Sequence, residues 1–276
     1  MAGSFLIILR EGLEAALIVG IILAYLTKTG NRGKSGVVWM GVGLSVLMSV
    51  LVGAAIFLTA GGLEGRSEAL FEGVAMFTAA GVLTYMIFWM RKQAINIRVH
   101  LQQQLSTALE SGSLTALALL AFVAVGREGI ETALFMFAAT KAATPAAATL
   151  GGLLGLVGAV ALGYLLYRGT YRLNLRSFFN VTSVLLLLFA AGLLAHGIDE
   201  FHEAGVVPPV VDEVWNTNRI LDERSTVGSF ARALFGYNGN PSLVEALAYV
   251  TYLLLVGWMY FRPPTAKELT PGRASA

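Results

Sequence analysis

The sequence contains no cysteine and only three histidines among its 276 residues. The lack of cysteine excludes disulfides, thiolate metal sites and iron–sulfur clusters. Charged residues are also scarce, at 13% of the chain, whereas 56% of the residues are hydrophobic. This balance is typical of a polytopic membrane protein in a lipid bilayer, and the net charge of +2 gives no indication of nucleic-acid binding.

No basic segment precedes the first apolar run, so we predict a retained helix and not a cleaved signal peptide. Seven apolar runs of about 20 residues predict an all-α fold with seven transmembrane helices. They lie near 4–27, 37–60, 69–90, 114–139, 147–167, 178–197 and 243–261.

Lysine and arginine are unevenly distributed between the loops. Twelve of the 19 fall in the segments 28–36, 91–113 and 168–177 and in the tail from 262, and five fall in the other loops. Because cytoplasmic loops carry the excess of basic residues, we predict the N-terminus outside and the C-terminus inside.

Charges interrupt the first run, where Arg10, Glu11 and Glu14 lie within the sequence FLIILREGLEAALIVGIILAYL. Ionisable groups at that depth cost several kcal/mol and usually face a bundle interior or a pathway. On a helix, spacings of three and four residues place these side chains on one face. A second copy, REGIE at 127–131, occurs at an offset of 117 residues.

The two copies indicate an internal repeat of opposite orientation, because three predicted spans separate them. A weaker echo pairs the AAG sequences at 79–81 and 190–192. Both motifs should lie roughly 10–16 Å deep, near the middle of a ~30 Å hydrocarbon core. Gly12 with Ala16, and Gly129 with Ala133, would allow the two motif helices to cross closely.

We therefore predict one membrane domain, 1–276, made of two inverted three-helix repeats and a seventh helix. Its parts are a first repeat at 1–92, a cytoplasmic connector at 93–113, a second repeat at 114–197, an acidic extracytoplasmic loop at 198–242, a seventh helix at 243–262 and a cytoplasmic tail at 263–276. The connector is compatible with an amphipathic helix or a solvated segment, and 210–236 with one or two short helices.

Four carboxylates with two arginines suit a hard cation that prefers oxygen ligands, such as Fe³⁺, Ca²⁺, Mg²⁺ or Mn²⁺. One alternative is a scaffold in which each arginine only pairs with its glutamate. Another is an intramembrane carboxylate-bridged di-iron enzyme, although the spans contain no Glu-x-x-His pair. A transporter of another hard divalent cation is a third. No organic cofactor is expected.

A second acidic set is predicted near the outer mouth, as capture or lining residues or as ordinary solvated charges. It comprises Glu72, Asp199, Glu200, His202 and Glu203. Glu245, at the start of the seventh run, is interpreted as a first-turn acid stabilised by the helix dipole.

REGLE at 10–14 and REGIE at 127–131 resemble the paired R-E-x-x-E motifs of the oxidase-dependent iron transporter family. That family includes fungal high-affinity iron permeases and bacterial EfeU-type ferrous-iron permeases. The resemblance covers about 5–261 and includes Phe88-Trp89-Met90-Arg91-Lys92, His202-Glu203-Ala204-Gly205 and Phe235-Gly236-Tyr237.

The resemblance implies import of iron across a bacterial cytoplasmic membrane, expected as Fe³⁺ after oxidation outside, with iron as substrate. The implied iron-binding residues are Glu11, Glu14, Glu128 and Glu131, with Arg10 and Arg127 as motif partners. It also implies extracytoplasmic partners: a multicopper oxidase in fungi, and a cupredoxin-like protein and a haem peroxidase in bacteria.

Overall fold

The computed structural model describes residues 1–93, 97–142, 145–167, 174–208, 210–223 and 225–262. Over these ranges the chain is helical, with nine α-helices, a short 3₁₀ turn at Arg32–Lys34 and no strand. The helices are α1 Ala2–Lys28, α2 Ser35–Gly61, α3 Arg66–Gln93, α4 Ile97–Glu110, α5 Leu114–Ala142, α6 Pro145–Tyr167, α7 Leu175–Glu203, α8 Thr226–Phe235 and α9 Leu243–Phe261.

The seven predicted runs each coincide with one helix: α1, α2, α3, α5, α6, α7 and α9. Five helices in the described part of the chain are long and apolar enough to cross a membrane, namely α2, α3, α6, α7 and α9. The motif-bearing α1 and α5 are not among those five. The predicted tail at 263–276 lies outside the described residues.

One predicted boundary is wrong. The sixth run was expected to end at 197, but α7 continues to Glu203. Asp199, Glu200, His202 and Glu203 therefore lie on the last turns of a helix and not in a loop. The apolar run ends at 197 because polar residues follow in the sequence. A helix can nevertheless continue through polar residues at an exposed end, because its backbone hydrogen bonds do not depend on apolar side chains.

The predicted connector contains α4, which packs against α1 and α5. Leu101 and Leu105 are buried there in a cluster that includes Ile22, Leu26 and Leu117. Burial of these leucines stabilises α4 on the bundle, so this part of the connector is a docked amphipathic helix and not a solvated segment.

The helices pair across the sequence and not between chain neighbours. The most extensive contacts are those of α1 with α6, of α2 with α5 and of α3 with α7, and α1 also contacts α5. Ala79, Ala80, Ala190 and Ala191 are all buried, so the alanines of both AAG sequences lie in the interior, whereas Gly81 is exposed. The outer faces of α2, α6 and α9 expose leucines and valines, as lipid-facing helices do.

The small faces beside the motifs do not pack against each other as predicted. A methyl group added at Gly12 would lie 2.7 Å from the Cβ of Ala159 on α6, and one added at Gly163 would lie 2.7 Å from the Cβ of Ala16. In the same way, Gly129 faces Ser49 on α2. The small residues thus allow α6 to pack closely against α1, and α2 to pack closely against α5. The charged faces of α1 and α5 remain available to contact each other.

The segment between α7 and α9 contains α8, which follows the N-cap residue Ser225. The Ser225 hydroxyl oxygen accepts a hydrogen bond from the Gly228 amide and caps the helix. The helix ends at Gly236, whose φ of 66° is the left-handed conformation that favours glycine. Gly236 lies directly against Gly192 of α7, where neither position has room for a side chain.

Candidate functional site

Three motif carboxylates converge where α1 meets α5. One oxygen each from Glu11, Glu128 and Glu131 can be chosen so that all three lie within 4.8 Å of one another. Glu11 comes from α1 and the other two from α5, so the cluster exists only where the two helices meet. Glu11 and Glu128 are buried, and Glu131 is partly buried.

The fourth motif carboxylate, Glu14, has a different environment. Its Oε1 accepts a hydrogen bond from Nε of Arg10 at 3.0 Å, one helical turn away. Arg10 is fully buried, with 0% of its side chain exposed. This pair is formed within α1, and Glu14 is not one of the three carboxylates that form the cluster.

Arg127 of the second motif is placed less tightly than Arg10. Its Nε donates to Oε1 of Glu131 at 3.0 Å and lies 3.6 Å from Oε1 of Glu128. The guanidinium carbon lies 4.1 Å from the centre of the Trp89 ring on α3, a distance at which cation–π attraction operates. The Arg127 side chain is 37% exposed, so the two copies of one sequence motif differ in access.

Several buried carboxylate oxygens at this site receive no hydrogen bond from any described residue. They are both oxygens of Glu11, Oε2 of Glu128 and Oε2 of Glu131. A buried polar atom without a partner costs free energy, and a buried charge without one costs more. Four carboxylates against two guanidiniums leave the motifs at −2 when ionised. The two arginines thus do not balance the carboxylate charge, and this excess of anionic oxygen fits a hard metal ion.

The predicted outer residues separate into two groups. On one side, Glu72 of α3 forms an ion pair with Lys141 at the end of α5, and Lys141 also lies 3.7 Å from Glu68. On the other side, Asp199 and His202 lie close to Glu245. Glu200 is partly buried and interacts electrostatically with Glu72 and Lys141 on one side and with Asp199 and Glu203 on the other, so it links the two groups. Glu203 is exposed. The predicted outer residues are therefore neighbours, although only Asp199 and His202 share the cluster with Glu245.

Sequence reasoning missed the surroundings of Glu245. Its position in a capping box follows from the sequence Ser242-Leu243-Val244-Glu245, and the reciprocal hydrogen bonds are present. A capping box predicts where α9 begins, but not that α7 ends beside it. His196 was also missed: it is buried, and its Nε2 accepts a hydrogen bond from Nε of Arg232 at 3.0 Å.

An all-helical chain with five helices able to cross a membrane, closed around buried carboxylates, defines a multi-pass membrane protein. The sequence profile of the Iron permease FTR1 family matches residues 1–264. The chain belongs to this family, and is therefore a permease for iron and not an enzyme. Membership places it among multi-pass inner-membrane proteins.

Its relatives include proteins named ferrous iron permease EfeU. The protein from Escherichia coli O6:H1 (strain CFT073) is 41% identical over 264 residues, which cover 95% of this chain and 96% of that protein. The Yersinia pestis protein is 39% identical over 274 residues, covering 99% and 96%. The Shigella sonnei protein is 40% identical over 264 residues, covering 95% and 96%. No solved structure matches the chain.

Proposed function

We propose that the permease moves iron between its two R-E-x-x-E motifs, from an extracytoplasmic N-terminal end to the cytoplasm. The observation that carries the proposal is the convergence of Glu11, Glu128 and Glu131, with four buried oxygens that receive no hydrogen bond from the described residues. A hard cation entering this cluster would gain anionic oxygen ligands that are already held close together.

The proposal requires α1 and α5 to cross the membrane with the other five long helices. Their 27 and 29 residues correspond to roughly 40 Å of helix, more than the ~30 Å hydrocarbon core. Their charges are turned toward each other, as expected for ionisable groups inside a membrane. Seven spans would also place the two chain ends on opposite sides of the membrane.

The pattern of helix contacts supports two inverted repeats, 1–92 and 114–197. The second helix of each half packs against the first helix of the other half, α2 against α5 and α6 against α1. The close contacts agree in detail: Ala16 meets Gly163, and its counterpart Ala133 meets Gly53. Transporters built this way commonly bind substrate at the repeat interface.

The arginines would control how firmly the site holds iron. Arg10 neutralises Glu14 within α1, whereas Arg127 shares its charge between Glu128 and Glu131. When the ion leaves, Arg127 already lies beside two of the carboxylates and can compensate them. An inside-negative membrane potential favours inward movement by about 2.3 kcal/mol per charge per 100 mV.

At the outer end, we propose that Glu72 acts as a lining residue whose charge is compensated by Lys141. Glu200 and Glu203 would contribute negative potential at the mouth, which raises the local concentration of cations. The extracytoplasmic oxidase or peroxidase and the cupredoxin-like protein that the family resemblance implies would act at this end.

Uptake of radioactive iron into proteoliposomes containing only this protein tests the proposal. We expect uptake driven by an inside-negative potential, and no uptake above empty liposomes for the variant Glu11→Gln/Glu128→Gln/Glu131→Gln. The variant Glu64→Gln, at an exposed position between α2 and α3, controls for loss of a carboxylate elsewhere. Equal uptake by wild type and the triple variant would exclude the motif site.

The oxidation state needs a separate comparison. Carboxylates alone favour Fe³⁺, the species expected from the sequence, whereas the curated relatives are named for ferrous iron. Uptake should be measured with Fe³⁺ as citrate and with Fe²⁺ under ascorbate without oxygen, with excess Mn²⁺ as competitor. We expect faster uptake from Fe³⁺; faster uptake under ascorbate would assign the cargo as Fe²⁺, and full inhibition by Mn²⁺ would indicate a general hard-cation transporter.

A further inference from the structure

A cavity of about 390 Å³ opens at the end of the bundle where α7 finishes and α9 begins. Two histidines and four carboxylates line it, together with Arg232. Arg232 lies 3.6 Å from Glu223 and is engaged there. The remaining lining carboxylates, Asp199, Asp212 and Glu245, leave the cavity strongly negative.

Three potential metal ligands meet in this cavity. One ligand atom each from Asp199, His202 and Glu245 can be chosen so that all lie within 4.8 Å of one another. Asp199 and His202 are three residues apart on α7 and so share a face of that helix. Glu245 approaches from the first turn of α9. The set therefore joins two helices that are separated in sequence by the segment 204–242.

The two histidines of the cavity differ in their hydrogen bonding. His196 uses both ring nitrogens: Nε2 accepts from Arg232, so Nδ1 carries the proton and donates to the Gly192 carbonyl at 2.8 Å. In contrast, Nε2 of His202 is buried and has no partner within the described part of the chain. Imidazole nitrogen is a common metal ligand, and no hydrogen bond to the described residues prevents Nε2 of His202 from binding a metal.

Glu245 is held in place by its neighbours. Its Oε2 accepts from the Asn238 side-chain amide at 2.7 Å, and its Oε1 accepts from the Ser242 backbone amide at 3.2 Å. Each carboxylate oxygen has a second lone pair, so these bonds leave ligand capacity while fixing the orientation of the group. Such outer hydrogen bonds are typical of carboxylates that bind metal.

We propose that Asp199, His202 and Glu245 form a second metal site, which takes a first-row divalent cation and has Fe²⁺ as its physiological occupant. One imidazole and two carboxylates supply the protein ligands, and water completes the coordination. A nitrogen ligand favours borderline cations such as Fe²⁺ over Ca²⁺ or Mg²⁺, unlike the all-oxygen motif site. The proposal rests on the proposed function only in naming iron as the ion.

Binding of Co²⁺ to purified protein in nanodiscs tests this site, because cobalt reports nitrogen ligation in its visible spectrum. The protein must carry no polyhistidine tag. In the background Glu11→Gln/Glu128→Gln/Glu131→Gln, which lacks the motif carboxylates, we expect one Co²⁺ per chain. Adding His202→Ala or Glu245→Gln should lower the affinity at least ~10–100-fold, the range seen even for outer-shell changes.

Two variants make the result specific. Glu245→Gln retains a residue that can complete the capping box, so α9 should still begin at the same position. Asp212→Asn removes the same charge from the same cavity but leaves the three proposed ligands, and should retain one Co²⁺. Unchanged Co²⁺ binding in both His202→Ala and Glu245→Gln would overturn the site, as would equal losses in Asp212→Asn.

The same titration separates this site from the proposed function. If the motif site fails, wild type and the triple variant will bind equal amounts of Co²⁺, and the effect of His202→Ala can still be read in either background. In proteoliposomes supplied with Fe²⁺ under ascorbate, Glu245→Gln should reduce iron uptake severalfold at low iron and leave the rate at saturating iron unchanged. An equal loss at all iron concentrations would assign Glu245 to the translocation step instead.

Discussion

Three of the four motif carboxylates cluster together, and the fourth forms an ion pair with an arginine. This difference predicts different consequences of mutation. Glu11, Glu128 and Glu131 present oxygens to a shared space. Glu14 presents an oxygen to Arg10. A glutamate that binds the metal and a glutamate that pairs with an arginine have the same side chain. Substitution of the first should impair iron uptake, whereas substitution of the second should impair stability.

We expect Glu11→Gln, Glu128→Gln and Glu131→Gln each to lower iron uptake by at least tenfold while the protein stays folded. Glutamine keeps the size of the side chain but removes the anionic oxygen that a hard cation requires. Initial uptake rates, normalised to the amount of protein in the membrane, measure the effect. A variant that keeps wild-type uptake is not a ligand.

For Glu14→Gln we expect the main effect to be a loss of stability and not a direct loss of iron binding. The change leaves Arg10 fully buried and without its carboxylate, and breaking a buried ion pair typically costs about 3–5 kcal/mol. Thermal unfolding in detergent should show a large drop that Arg10→Leu/Glu14→Leu recovers. If Glu14→Gln is stable but cannot transport iron, Glu14 belongs with the ligands.

At this scale the sequence predicted the central site better than the outer one. The motifs repeat and carry charge within apolar runs, so they are visible without a structure. Glu245 and His202 meet because α7 extends beyond its apolar run and α9 begins beside it. No local pattern in the sequence encodes that meeting.

At the scale of helices, the close contact between α1 and α6 depends on glycine and alanine residues. Gly163 of α6 lies against Ala16 of α1, close enough that an added methyl group would overlap it. The sequence identified Ala16 as part of a close crossing but assigned the crossing to the wrong helix. Small residues indicate a close approach and do not specify the partner, which tertiary packing decides.

A size exchange tests this contact. We expect Gly163→Ala to destabilise the protein by about 1–3 kcal/mol, because the methyl group must force α1 and α6 apart. The double variant Ala16→Gly/Gly163→Ala should restore most of the loss, as it moves the methyl group from one helix to the other. Gly43→Ala is the control, since Gly43 on α2 has open space around it.

Thermal unfolding of the four proteins in the same detergent measures these differences. No recovery in the double variant, or an equal loss in Gly43→Ala, would show that the α1–α6 contact does not limit stability.

At the scale of the whole molecule, the orientation in the membrane can be tested by thiol labelling without interference from native cysteines of the protein. The chain has no cysteine, so a single introduced thiol is the only one present. Glu64 and Thr29 are both exposed and lie at opposite ends of α2. With the N-terminus outside, Glu64→Cys should react with a membrane-impermeant maleimide on intact cells, whereas Thr29→Cys should react only after lysis. The reverse pattern would invert the proposed direction.

The helix bounds were largely predictable, because long apolar runs must satisfy their backbone hydrogen bonds internally. The pairing of α1 with α6 and of α2 with α5 was not, because it joins segments far apart in sequence. Repeats detected in a sequence show that two halves are alike. They do not show which helices pack against each other.

This pairing has a consequence for the order of synthesis. Glu11 and Glu128 are 117 residues apart, and α6 begins only at Pro145. At about 5–20 residues per second, α1 leaves the ribosome on the order of ten seconds before either of its main partners exists. During that interval Arg10 and Glu14 have only each other, one turn apart on the same helix. If α1 spans the membrane as proposed, this pair would let it enter the bilayer early, and a chain that stops before α5 should be degraded because Glu11 would still face lipid.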